Sequence, residues 1–389
     1  MIYVVKMGDT VDSIAAQTGV AVQRIIRDNQ LLYPYELAVG QALFIAGEYT
    51  DELPKRGQKF VCGYAYPFIS TWVLEQTLDY LTELNIFSYG FTPQGDLVYP
   101  VLADEPLIRR AWNHGTRPIL TLTPLDEEGR FNNLIIHEVI RNPVSSQSLT
   151  DNLIAVCLEK GYAGVDVDFE FILAEDRDYF TQFVAELTRQ LNENNLSVSV
   201  ALAPKTSSEQ TGLLYEGKDY AGLGQAANHV FLMTYEWGYT YGPPMAVAPL
   251  NKVEQVVQYA LTQIEKDKIV MGIPNYGYDW PLPFMQGETK ATTIGNVQAV
   301  TIAIENGAWI QFDEIAQSPF FEYWKNEPPV QHEVWFEDVR SLQQKFRLVE
   351  KYDLMGCGYW TVMQWFFANW LQLSESFYFG EESSEESVL

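Results

Sequence analysis

Residues 164–171 read Gly164-Val165-Asp166-Val167-Asp168-Phe169-Glu170-Phe171, with apolar and acidic side chains in strict alternation. Side chains of an extended strand point alternately to its two faces, so Val165, Val167, Phe169 and Phe171 share one face. Asp166, Asp168 and Glu170 share the other, each ~6–7 Å along the strand from the next. With the apolar face packed under helices, the carboxylates point inward, where burial and mutual repulsion both disfavour ionisation. A fold gains nothing from such a column, but chemistry does. A carboxyl group kept protonated near neutrality can act as a general acid, and a carboxylate beside it can balance a developing positive charge. Two simpler readings compete: an edge strand with a solvated acidic face, and a cation site made of carboxylate oxygens. Apolar helical patterns on both sides of the strand argue against the first, and the absence of acidic ligand loops argues against the second.

The surrounding chain predicts the scaffold for this column. Strand-like runs occur at 60–66, 86–91, 118–123, 164–170, 196–202, 230–235, 269–274 and 356–361. Helical periodicity fills most of the gaps, for instance Asp176 to Asn192 and Lys252 to Glu265. Eight strands alternating with helices predict an α/β fold, a (β/α)8 TIM barrel over residues 59–379. Strands seven and eight are too far apart for a single helix, which predicts a small inserted α+β subdomain at about 285–335. Residues 47–58, with Gly47, Pro54 and Gly57 among charges, read as a linker. Residues 380–389, rich in Glu and Ser, read as an acidic disordered tail.

Residues 1–46 form a separate small pattern. Tyr3-Val4-Val5 predicts a strand, Gly8-Asp9-Thr10 a turn and helix cap, and Val11, Ile14 and Ala15 a helix. A second short helix carries Val22, Ile25 and Ile26 and ends at Asn29; Gly40-Gln41 then turns into the strand Ala42–Ile45. The order is βααβ, with the two strands placed to pair.

Composition narrows the partners. A formal charge of −26 repels nucleic acid and anionic membrane surfaces. No run approaches the ~20 apolar residues of a membrane span. The aromatic content of 14% fits a large core or a cleft that stacks on sugar rings. Cys62, Cys157 and Cys357 are odd in number and widely spaced, as expected of core thiols in a reducing compartment. No metal-ligand cluster and no phosphate-binding glycine loop stands out, so no metal and no cofactor is expected.

The acidic strand resembles the signature of family 18 glycoside hydrolases, Asp-Gly-x-Asp-x-Asp-x-Glu. Gly164, Asp166, Asp168 and Glu170 match it, and Ala163 stands where the outermost Asp would be. Residues 232–238, 242–246, 272–280 and 332–338 carry the resemblance around the whole barrel. The N-terminal pattern resembles a LysM module through Tyr3, Val5, Gly8-Asp9-Thr10-Val11, Ile14-Ala15, Asn29, Leu37 and Gly40-Gln41-x-Leu43-x-Ile45. Within family 18 the chain resembles the subgroup of spore cortical fragment-lytic enzymes, which join LysM modules to such a barrel.

The resemblance implies an enzyme that cuts glycans by substrate assistance, the sugar's own acetamido group attacking its anomeric carbon. Glu170 would be the acid, Asp168 the orienting carboxylate, Asp166 its proton-sharing neighbour, and Tyr235 the hydroxyl that holds the acetamide oxygen. Trp360 would floor the sugar, with Tyr64, Met233, Asn275, Tyr276, Trp280 and Glu236 as cleft contacts. Glu236 departs from the Asp or Asn usual in chitinases. In the LysM module Gly8, Asp9, Thr10 and Asn29 would border the glycan groove. The expected partner is therefore peptidoglycan or another N-acetylglucosamine-containing glycan, with cleavage after N-acetylglucosamine. A chitinase or endo-β-N-acetylglucosaminidase, and a non-catalytic lectin, are the alternatives. Met1–Lys6 opens without the pattern of an export signal. With the resemblance, that leads us to expect synthesis in the mother-cell cytoplasm and deposition in the spore coat or cortex, or otherwise association with the cell wall.

Overall fold

Eight parallel strands form a closed barrel in a computed structural model that describes residues 1–47, 57–126, 128–326 and 329–379. They are Phe60–Ala65, Glu83–Phe91, Arg117–Leu122, Gly164–Val167, Ser197–Leu202, His229–Leu232, Ile269–Pro274 and Gly356–Trp360. Each pairs with the next along the chain, and the eighth returns to the first through Gly356↔Phe60 and Cys357↔Val61. The predicted barrel is met strand for strand. Alternation explains the placement: Val165 and Val167 pack outward under the helices while Asp166 stays inside the barrel, and all three are inaccessible to solvent.

The fourth strand stops at Val167, earlier than the alternation through residue 171 predicts. Phe169 still anchors in the apolar layer, with its ring centroid 5.2 Å from Phe91 and 5.8 Å from Phe180. Phe171 does not follow it and is 39% exposed, because the chain has already left the sheet.

Between the seventh and eighth strands stands a five-stranded antiparallel sheet with the helix Asn296–Glu305. It begins at Gly277–Pro281, earlier than the expected start near residue 285. Tyr278 pairs with Trp335 and Asp279 with Val334, so what reads as a loop after strand seven is an inner strand of the added sheet. That pairing removes Trp280 from the cleft: it is fully buried, and its indole N–H donates to the Gly242 carbonyl at 2.8 Å.

The N-terminal unit has the expected βααβ order, Ile2–Val4, Val11–Thr18, Val22–Asp28 and Ala42–Phe44, with its strands antiparallel. It is seated on the barrel domain. Phe44 and Ala46 pack with Val339 and Ala368. Gly40 adopts φ +85°, and a Cβ there would run into the Ile310 carbonyl oxygen. The Gln30 side chain clamps the far wall: its amide donates to Trp365 O at 3.2 Å and its oxygen accepts from Phe367 N at 2.6 Å. The linker, apart from Gly47, Gly57 and Gln58, and the acidic tail lie outside the described residues.

Candidate active site

Strand four carries the carboxylates from the barrel interior to its C-terminal mouth. Asp166 lies deepest and accepts from Ser199 Oγ at 2.6 Å and from Tyr64 Oη at 2.9 Å. Burial raises its pKa, while the hydrogen bonds from Ser199, Tyr64 and Asn85 pull the other way. The Asp168 amide donates to Leu122 O at 2.9 Å, one step beyond the strand, which fixes its side chain above Asp166. Its Oδ1 is buried and has no partner among the described residues. Burial, then repulsion from Glu170 and Asp166, hold the Asp168 carboxyl well above the ordinary range. Glu170 sits at the mouth, partly buried, and desolvation raises its pKa. Repulsion between the two carboxyls adds to the effect of burial, with Asp168 the deeper of the two.

Asp168 and Glu170 open into a cleft of ≈ 420 Å³ that is also lined by Tyr64, Met233, Tyr235 and Trp360. Tyr235 follows strand six, is 8% exposed, and is held protonated by burial and by the nearby Asp168 and Glu170. A second recess of ≈ 350 Å³ shares Glu236 and Trp360 with the first and contains Asn275 and Tyr276. Glu236, at φ +66°, accepts hydrogen bonds from Tyr276 Oη and, at 2.9 Å, from Tyr278 Oη. Burial raises its pKa and the two tyrosines oppose that rise. Asn275 faces the recess, yet its amide is spent on the carbonyls of Thr361 at 3.1 Å and Gln364 at 2.9 Å. It braces the loop after Trp360 rather than presenting a free group.

The expected groove residues of the N-terminal unit are internally satisfied. Thr10 and Ser13 cap the first helix reciprocally at 2.9 and 3.1 Å. Asp9 accepts from Lys6 N at 2.8 Å and Tyr3 Oη at 2.9 Å, and Gly8 supplies the turn at φ +85°. Asn29 ties the second helix to the second strand through Ile25 O and both backbone groups of Phe44.

Sequence reasoning missed Ser199, Tyr66, Phe87, Phe131 and Lys218. Ser199 was legible, because it shares an inward face with Ser197 and Ala201 on strand five. Lys218 was not: it lies in an irregular stretch after that strand, and its ammonium donates to the carbonyl of Phe169, next to Glu170. Among the described residues one group outside the cleft could hold a cation, His137 with Glu175 and Asp176, but Asp176 already accepts from Arg141 at 2.6 Å and meets His137 at 2.8 Å.

Known proteins agree with this architecture along the whole chain. Residues 129–364 match Glycosyl hydrolases family 18, and residues 3–46 match the LysM domain. The Cortical fragment-lytic enzyme of Bacillus subtilis (strain 168) is 36% identical, over 97% of this chain and 98% of its own. The Putative sporulation-specific glycosylase YdhD of the same organism is 33% identical over 93% of this chain and 84% of its own. The crystal structure of the Bacillus cereus spore cortex-lytic enzyme SleL superposes with a TM-score of 0.92 at 31% identity, covering 98% of this chain and 99% of that one. Barrel, acidic strand and full-length similarity together establish that the chain belongs to glycosyl hydrolases family 18, with a LysM module at its N-terminus.

Proposed function

We propose that this chain hydrolyses the glycan strands of spore-cortex peptidoglycan, cutting after N-acetylglucosamine with retention of configuration. The observation that carries the reading is the meeting of Asp168, Glu170, Tyr235 and Trp360 in one cleft at the barrel's C-terminal mouth. Similarity to a cortical fragment-lytic enzyme over nearly the full length of both chains supports the substrate class.

In the proposed reaction the acetamido oxygen of the bound N-acetylglucosamine attacks its own anomeric carbon. The bond from that carbon to the leaving oxygen breaks, and Glu170 gives the leaving oxygen its proton. Asp168 balances the positive charge that develops on the acetamide nitrogen, and the Tyr235 hydroxyl donates to the acetamide oxygen. Water then attacks the anomeric carbon from the vacated side, the bond from that carbon to the acetamide oxygen breaks, and the water loses a proton to Glu170, which restores the acid. Asp166 is steadied by Ser199 and Tyr64, and it adds to the repulsion that keeps the Asp168 pKa raised. Trp360 and Met233 supply apolar walls to the sugar, and Glu236 and Tyr276 border the adjoining subsite. Residues 1–46 serve as the glycan-binding module and 59–379 as the hydrolase. The working place is the spore coat or cortex.

Mass spectrometry of soluble cortex fragments, incubated with the wild-type protein and with Glu170→Gln, tests this reading. New products ending in reducing N-acetylglucosamine, with wild type alone, are expected. Turnover of chitin oligomers with cortex fragments untouched would move the substrate to chitin. Binding of both without turnover would make the chain a lectin.

A further inference from the structure

Lys218 is a fully buried lysine with no carboxylate in hydrogen-bond contact, among the described residues. Its ammonium donates to the carbonyl of Phe169, the residue between Asp168 and Glu170. It lies 5.0 Å from the centroid of Phe180, a ring that offers no neutralising charge. The segment that bears it is built to reach this spot. A Cβ on the preceding Gly217 would run into the Ile172 carbonyl, so the two segments touch backbone to backbone. From behind, the buried Lys205 ammonium donates to the carbonyls of Tyr215 at 3.2 Å and Lys218 at 3.1 Å. Burying a cation in this way is costly unless something nearby answers its charge.

The groups that can answer it are few. Asp168 and Glu170 flank the Phe169 carbonyl that it bonds, and both favour its charged form. On its own segment Glu216 is exposed, and Asp219 is paired at 3.2 Å with Arg177, the first residue of the helix Arg177–Asn192. Lys205, the remaining cation, is directed at carbonyls.

Resting on the function proposed above, we infer that Lys218 is a positioning residue: it pins the Phe169 carbonyl so that Asp168 and Glu170 keep their places, and its charge sets the pH range in which the pair works. Its ammonium opposes the rise that burial imposes on both carboxyls. Its own pKa is lowered to about 8, so it is protonated at neutral pH.

The test is the pH dependence of kcat/KM on soluble cortex fragments. Glu170 works protonated, so activity falls as pH rises through its pKa. Removing the cation raises that pKa and moves the falling limb to higher pH, by about 1 unit or more. Lys218→Met loses charge and hydrogen bond, and we expect both that shift and a fall in kcat. Lys218→Gln keeps a donor without charge and should show the same shift with a smaller fall. Lys218→Arg should leave the limb in place. Limbs unmoved in a folded Met or Gln variant would overturn the inference. A second readout needs neither variant: the Lys218 ammonium, followed by carbon-13 NMR, should titrate at lower pH in Glu170→Gln than in wild type. An unchanged titration would also overturn it. If that coupling is found while no glycan is cleaved, the hydrolase reading fails and the electrostatic link stands.

Discussion

Each carboxylate of the acidic column has a different neighbour set, and its chemistry follows from that difference. Asp166 is enclosed by Ser199 and Tyr64, Asp168 has an unpartnered buried oxygen, and Glu170 reaches the mouth. Glu170→Gln should therefore lower turnover by about 10²–10⁴-fold while leaving glycan binding intact, as measured by product formation beside calorimetric titration. In the proposed mechanism Tyr235→Phe removes one donor to the acetamide oxygen, which should cost about 10²-fold in kcat with KM little changed. Asp168 makes a prediction about stability as well. Its pKa is raised in the folded state, so its contribution to folding is fully present below the ordinary carboxylate range and is lost as pH rises through the folded value. At neutral pH Asp168→Asn should raise Tm while abolishing most activity, and the gain in Tm should shrink towards pH 3. A wild-type protein as stable as the variant at pH 7 would contradict this account.

At the scale of elements, periodicity was legible wherever packing repeats. The eight barrel strands and the acidic column follow from alternation, because one face of each strand is buried under helices. The βααβ unit follows from its caps and turns. What could not be read was where the chain stops obeying the pattern. Phe171 continues the alternation on paper but lies past the end of the sheet. Trp280 looks like a cleft aromatic by position, yet cross-strand pairing with the segment at Glu333 draws it inside. Asn275 has the same lesson at a loop: its amide is used by the carbonyls of Thr361 and Gln364. Asn275→Ala should leave those carbonyls without their donor and loosen the wall next to Trp360. We expect a loss of about 1–3 kcal/mol in stability and a raised KM, checked by denaturant unfolding and steady-state kinetics.

At the scale of the whole molecule, the N-terminal unit is part of the barrel's surface. Gln30 bonds both Trp365 and Phe367, which follow the strand that carries Trp360, and Phe44 covers Val339 and Ala368. A glycan held by this unit is therefore presented at a fixed distance from the cleft. Deleting residues 1–46 should uncover that apolar seam and lower the barrel's Tm by at least about 2–4 °C, measured by calorimetry. An unchanged Tm would show that the seam contributes nothing to the barrel. None of this docking was legible in the sequence, since the contacts join residues far apart in the chain, Gln30 and Phe367 by 337 positions.

The central claim is that the substrate's acetamido group does the work of a nucleophile while Asp168 and Glu170 manage charge and proton. The most direct measurement compares cortex fragments before and after chemical removal of the acetyl groups, and again after re-acetylation, with products identified by mass spectrometry. The account predicts cleavage of the native and re-acetylated fragments, none of the de-acetylated ones, and none of any with Glu170→Gln. Cleavage of de-acetylated fragments at an undiminished rate would contradict it.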